Sequence, residues 1–203
     1  MMQLMTADNT LEKLLQAIAN GDHRAFRCFY DRYYPAVYRF VRYFLTHGAN
    51  CDEVVSEVFC IVWYNHSTIH QIQNVEAWLY AICRNEAWRF LRQQEKYQHI
   101  SIDDLPIELF VHTDSIENKL IEEELFDLFG KAINSLPPRC KLIFLMSREE
   151  KLKNKEIADI LNITEGTVEQ QMNIAIRKII GFVKKNDPIF RFGNIVKLKK
   201  AAE

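Results

Sequence analysis

The sequence is poor in residues that bend or cross-link a chain, with 6 glycines, 5 prolines and 5 cysteines among 203 residues. Glycine and proline fall mostly between periodic apolar segments, the pattern of a helical protein. Cys28, Cys51, Cys60, Cys83 and Cys140 are odd in number and contain no C-x-x-C pair. That argues against a disulfide framework and a structural zinc site, and fits a reducing cytoplasmic compartment. No stretch approaches eighteen apolar residues, and no basic flank precedes an apolar run at the N-terminus. Neither a signal peptide nor direct membrane insertion is therefore expected. The histidines at 23, 47, 66, 70, 99 and 112 lack metal-ligand spacing. Glycine-rich phosphate loops and nucleophile signatures are missing as well. The reading is of a protein with no catalytic residues, no metal and no cofactor: not an enzyme.

Net charge is also nearly absent, at −1, but its distribution is uneven. Residues 1–97 carry ten basic and ten acidic side chains, residues 98–127 one and nine, and residues 128–203 fifteen and eight. A basic final third beside an acidic middle points to an anionic partner for the C-terminal part.

The periodicity predicts an all-α protein of two small helical domains, an N-terminal bundle and a C-terminal helix-turn-helix domain, joined by an acidic linker. Helices are expected over 10–20, 22–45, 52–64, 74–96, 115–135, 138–147, 155–161 and 165–183, with Pro35 kinking or dividing the second and Gly48 closing its segment. A polar loop should occupy 66–73. The corresponding domains are 1–97, a linker over 98–114, 115–185, and a basic tail over 186–203 that includes Lys197, Lys199 and Lys200.

The stretch from Lys155 to Val168 has the outline of a helix-turn-helix. Ile157, Leu161, Ile163, Val168 and Met172 can share one small core while Ala158 lets the second helix approach closely. Asn162 tolerates the left-handed turn, and Thr164 can cap the helix that Glu165 opens. Thr167, Glu169, Gln170, Gln171, Asn173 and Arg177 are the polar positions of that helix, able to meet base edges or phosphates. Two further patterns stand out. Asp52, Glu53, Ser56 and Glu57 lie on one side of the third helix. In the fourth, Trp78, Tyr80 and Trp88 alternate with Arg84, Arg89 and Arg92, a pairing that suits stacked bases and phosphates.

In this order the segments resemble the sigma-70 superfamily of bacterial sigma factors, in its small extracytoplasmic-function (ECF) group. The resemblance rests on Gly21–Phe26 leading to Phe29–Tyr34, on Cys51–Phe59 with Val62 and Trp63, on Ala77–Asn85 with Leu91 and Arg92, on Leu136–Phe144, and on the helix-turn-helix. It implies that Asp52, Glu53, Ser56 and Glu57 bind core RNA polymerase, whose largest and second-largest subunits are the expected partners. It further implies that Asn65, His66, Ser67, Arg84, Asn85, Arg89 and Arg92 contact the minus-ten element of promoter DNA, with a flipped base captured by the loop 64–73. Thr167, Glu169, Gln170, Gln171, Asn173 and Arg177 would contact the minus-thirty-five element, and an anti-sigma factor is an expected regulator. Four positions depart from the family pattern: Ser56 stands where Gln is usual, Arg89 where Asp is common, Ile174 where a basic residue is frequent, and Glu169 where Lys or Arg is frequent. The acidic residues Asp103, Asp104, Glu108 and Asp114 would either let the linker thread the polymerase as a mimic of nucleic acid or serve only to keep an ordinary tether solvated. The alternative is a stand-alone helix-turn-helix regulator, which would leave the acidic third helix and the aromatic-arginine fourth without a role.

Overall fold

The computed structural model describes residues 2–45, 48–93, 103, 107 and 121–187, and among these no strand occurs. Eight α-helices are described: α1 (Met2–Ala19), α2 (His23–Arg42), α3 (Gly48–Tyr64), α4 (Val75–Gln93), α5 (Ile121–Asn134), α6 (Pro138–Arg148), α7 (Asn154–Leu161) and α8 (Glu165–Asn186). A short 3₁₀ helix, His66–Gln71, joins α3 to α4. Of the linker and tail, Asp104, Glu108, Asp114, Lys197, Lys199 and Lys200 lie outside the described residues, as do His47, His99 and His112.

Local chemistry explains most boundaries. Gly21 takes φ 82° between α1 and α2, a conformation that costs glycine little. The Asp22 carboxylate then accepts from the backbone N–H groups of Arg24 and Ala25, capping α2. Pro35 does not divide α2. It removes one backbone donor, but Phe29, Tyr33, Val37, Phe40 and Val41 form a continuous buried face on both sides of it. Gly48 opens α3 rather than closing the preceding segment, and α1 begins well before Thr10. The loop after α3 is more ordered than a polar stretch suggests. The Asn65 side chain donates to Ile61 O at the end of α3, the Thr68 hydroxyl donates to Asn65 O, and Ile69 is fully buried.

Helices α1 to α4 pack together, with the 3₁₀ segment against α1, while α5, α6 and α7 each pack on α8. The two groups are not separate bodies, because α7 lies directly on α4. A single apolar cluster runs from Leu15, Phe29, Phe40 and Leu79 into Leu142, Ile143, Met146, Ile157, Leu161 and Val168. A smaller one, Ala132, Leu136, Cys140, Ala175, Ile179 and Val183, joins α5, α6 and α8. Each such aliphatic side chain, fully buried, is worth about 1.5–3 kcal/mol. Ile107, from the connecting stretch, is also buried, and its carbonyl accepts a 2.7 Å hydrogen bond from the Lys141 ammonium.

Candidate nucleic-acid and protein interfaces

The apolar stripe of α3, Val54, Val55, Val58, Phe59 and Val62, faces the core. The helical period therefore leaves Asp52, Glu53, Ser56 and Glu57 together on the exposed side. The Ser56 hydroxyl donates to Asp52 O at 2.8 Å, so it is folded back on its own helix. Glu57 lies 3.7 Å from Arg89 of α4, whose guanidinium also pairs with Glu86 at 2.6 Å. Arg89 is thus tied to the acidic face of α3, and the Glu86 bond followed by its charge raises its pKa.

At the far end of α3, Tyr64 is 83% exposed. Next to it the Trp63 ring is stacked between His23 (4.5 Å) and His66 (4.9 Å), with Phe26 tilted against it at 5.0 Å. His66 Nδ1 is 2.8 Å from Trp63 O, which fixes the imidazole over the indole, whereas Asn65 and Ser67 are exposed. On α4 the Arg84 guanidinium lies over the Trp88 ring at 5.4 Å and donates to Asn85. Among the described residues the buried N–H groups Arg84 Nε and Trp88 Nε1 find no acceptor, and burial lowers the Arg84 pKa. Asn85 and Arg92 are exposed, the latter donating to Trp88 O. Tyr80 does not join this face. Its ring stacks on Phe40 at 4.5 Å in the core.

The helix-turn-helix forms as its sequence dictates. Asn162 ends α7 at φ 54°, and the Thr164 hydroxyl accepts from the Thr167 backbone N–H to start α8. The Glu156 carboxylate reaches back to the Lys153 N–H at the start of α7. Burial of Val168, Met172, Ala175, Ile179 and Val183 leaves Glu169, Gln170, Asn173 and Arg177 as an exposed polar stripe, followed by Lys178, Lys184 and Lys185. Two residues of the predicted set differ. Thr167 is half-buried, with its hydroxyl 2.9 Å from that of Thr164. Gln171 is also half-buried, turned toward α6 where its amide oxygen accepts from the Cys140 thiol at 2.8 Å. Burial raises that thiol's pKa, which keeps it a donor.

A fourth cluster has no counterpart in the sequence reading. Glu150, just after α6, points its carboxylate into the N-terminal bundle, and its side chain is 1% exposed. Arg39 of α2 donates to it through two nitrogens, each at 2.8 Å, the Tyr43 hydroxyl at 2.9 Å and the Tyr80 hydroxyl at 2.6 Å. Burial alone would raise the Glu150 pKa, but the bonds from Arg39 and Tyr80, the Arg39 charge and the Tyr43 bond together hold it below its ordinary value. Both tyrosines are pushed up, first by burial and then by the Glu150 charge. Close by, the Asn74 side chain caps α4 by accepting from the Ala77 N–H and donates to Glu156 of α7.

The order of these surfaces along the chain matches known proteins. Residues 29–97 match the family model "Sigma-70 region 2" and residues 126–179 match "Sigma-70, region 4". The chain belongs to the sigma-70 family. It is of the extracytoplasmic-function type. It is 26% identical over 175 residues to the ECF RNA polymerase sigma-E factor of Escherichia coli, covering 83% of this chain and 91% of that one. To the ECF sigma factor SigW of Bacillus subtilis it is 21% identical over 170 residues, covering 80% and 91%. Among solved structures, CnrH in complex with the cytosolic domain of CnrY shares the fold with a TM-score of 0.57 at 16% identity, covering 87% of this chain and 98% of that one. The sigma factor RpoE of Bartonella quintana, in complex with the anti-sigma factor NepR, also has a TM-score of 0.57, at 18% identity, covering 78% and 96%. As a sigma factor the protein directs promoter recognition and transcription initiation by core RNA polymerase. No described helix is long and apolar enough to cross a membrane.

Proposed function

We propose that this sigma factor docks on core polymerase through the exposed acids of α3 and reads a bipartite promoter with two separate surfaces. The observation that carries this reading is the exposure of two faces of opposite character: Asp52, Glu53, Ser56 and Glu57 on one module, and Glu169, Gln170, Asn173 and Arg177 with three lysines on the other. An acidic face suits a basic helical surface on the largest subunit, where complementary charge speeds and orients docking. Exposed Asn65, Ser67 and Tyr64, with Arg84, Asn85 and Arg92, suit an unpaired minus-ten strand held by stacking and phosphate pairing. Arg89, tied to Glu57 and Glu86, adjusts the acidic face instead. The stripe on α8 suits the major groove at the minus-thirty-five element. The protein acts in the cytoplasm, lends specificity and performs no chemistry itself. The complexes formed by the two solved relatives support an anti-sigma partner here.

The test is to mix the purified chain with bacterial core polymerase and a genomic promoter library. A stoichiometric complex that melts and transcribes promoters is expected, and Glu53→Lys with Glu57→Lys should abolish it while preserving helicity. Duplex DNA binding without any complex with core would favour a stand-alone regulator.

A further inference from the structure

We infer that Arg24 and Arg27, exposed at the start of α2, form a further binding site for promoter DNA that holds phosphates of the unpaired minus-ten strand beside the loop after α3. The inference rests on the bipartite reading above and extends its strand-binding surface onto a helix that had no part in it.

Charge in the N-terminal bundle is divided by helix. Residues 1–97 are neutral overall, yet α2 holds five arginines against a single acid, Asp31, whereas α3 exposes Asp52, Glu53 and Glu57 and carries no basic residue. Of the five, Arg39 is committed to Glu150, Arg32 lies over the Tyr33 ring at 5.4 Å, and Arg42 is half-buried at the far end of the helix. Arg24 is exposed and forms no ion pair among the described residues. Arg27 pairs with Asp31 at 3.1 Å, but the two side chains are 76% and 58% exposed. Such a pair is weak and screened by solvent, so a phosphate can take the place of the carboxylate. The nearby Asp22 carboxylate is already engaged by the backbone N–H groups of Arg24 and Ala25.

The start of α2 also adjoins the loop proposed to hold the strand. His23, the first residue of α2, stacks on Trp63 at 4.5 Å, Phe26 tilts against the same indole at 5.0 Å, and His66 of the loop stacks on it at 4.9 Å. Residues four apart share a helix face, so Arg27 stands one turn beyond His23, about 6 Å along the axis. A strand that leaves the exposed Tyr64, Asn65 and Ser67 toward α2 thus passes from rings and amides to guanidinium groups without a gap. Rings beside arginines suit a ligand that offers bases and phosphates together, and a guanidinium can bind phosphate through two N–H groups at once. An acidic protein would satisfy the two charges but has no use for the ring stack next to them. Phosphate contacts carry no sequence information, so these arginines add affinity and register while the loop keeps the choice of base.

The experiment uses holoenzyme assembled from core polymerase and the full chain, on a fork template whose minus-ten strand is unpaired. Arg24→Gln with Arg27→Gln should lower affinity equally for every minus-ten sequence. The salt slope for a single strand is about 0.7 per phosphate, so loss of two contacts makes it shallower by about 1.4, and the deficit shrinks about sevenfold between about 50 and about 200 mM salt. Helical circular dichroism, affinity for core and binding to minus-thirty-five duplex should match the wild type. Cys28, exposed one turn beyond Arg24, gives a second readout with both arginines in place. With Cys60→Ser, a photocrosslinker on Cys28 should capture the unpaired strand. Unchanged affinity and slope in the double variant, or a crosslink to core subunits alone, overturns the site. So does a loss confined to core affinity, which makes the face a protein contact. Wild-type holoenzyme that binds the fork no better than core alone refutes the strand-binding reading itself, a result that needs no arginine variant, and the site falls with it.

Discussion

At the scale of the residue, the turn between α6 and α7 carries a cost beside its most connected side chain. Lys151 takes φ 55°, in the left-handed region where a side chain costs an ordinary residue about 1–2 kcal/mol. It is held there because Glu150 before it is anchored in the bundle and Leu152 after it is buried. Lys151 is exposed and its side chain forms no part of the cluster, so Lys151→Gly should relieve the strain. Part of the gain is offset by the greater freedom of glycine in the unfolded chain, leaving about 0.5–1 kcal/mol. That corresponds to roughly 1–4 °C in melting temperature, measurable by circular dichroism. A lower melting temperature would mean that the Lys151 side chain has a role of its own.

At the scale of the element, α8 divides its polar residues between two tasks. Arg177 is exposed on the second half of the helix, its Nε donating to Asn173 O, and Gln170 is exposed near the start. Arg177→Ala should weaken binding to all duplexes alike and lower the salt slope by about one, as loss of a phosphate contact does. Gln170→Ala should instead change the ranking of minus-thirty-five sequences. Binding titrations on a small duplex set at two salt concentrations separate these outcomes, and equal losses on every sequence would remove Gln170 from base readout. Gln171 is half-buried, and its amide oxygen is engaged by the Cys140 thiol. The helix itself was legible in the sequence because its determinants are local: the Asn162 turn, the Thr164 cap and the apolar period of Val168, Met172 and Ala175. The acidic side of α3 was legible for the same reason. What sequence could not reveal depends on partners far along the chain. Tyr80 reads as a stacking platform until Phe40 and Glu150 are found against it. The bond from Cys140 to Gln171, 31 residues later, could not be read from the sequence either. The pairing of Arg89 with Glu57 on the neighbouring helix was likewise invisible in the sequence.

At the scale of the whole molecule, closure of the helix-turn-helix module on the N-terminal bundle should depend on pH in a defined direction. The Glu150 carboxylate faces Arg39 and Tyr43 from α2 and Tyr80 on α4, with Cys83 within reach of its charge and Glu149 beside it in sequence, while Glu76 acts on Tyr80. Its pKa is depressed in the closed form, so its contribution is complete above the ordinary glutamate value of about 4.3 and is lost as pH falls through the lower, closed-state value. The two tyrosines, shifted upward, favour closure below the ordinary phenol value of about 10 and lose that contribution only at still higher pH. A plateau of compactness across neutral pH is therefore expected, with expansion at the acid end before helicity is lost. Small-angle scattering alongside circular dichroism measures both, and Glu150→Gln should remove the acid step. Simultaneous loss of compactness and helicity would mean that the modules do not separate as units.

The same four-residue cluster constrains how such a chain can be inherited. Its carboxylate is encoded after α6 and its three donors on α2 and α4, so neither half is self-sufficient. Exchanging one module for that of a relative would strand a buried carboxylate, or leave the Arg39 guanidinium without its partner, unless the incoming half supplied the missing group. The two modules therefore have to descend as a matched pair, and a chimaera that ignores the match should fail first at a joint that touches neither polymerase nor DNA.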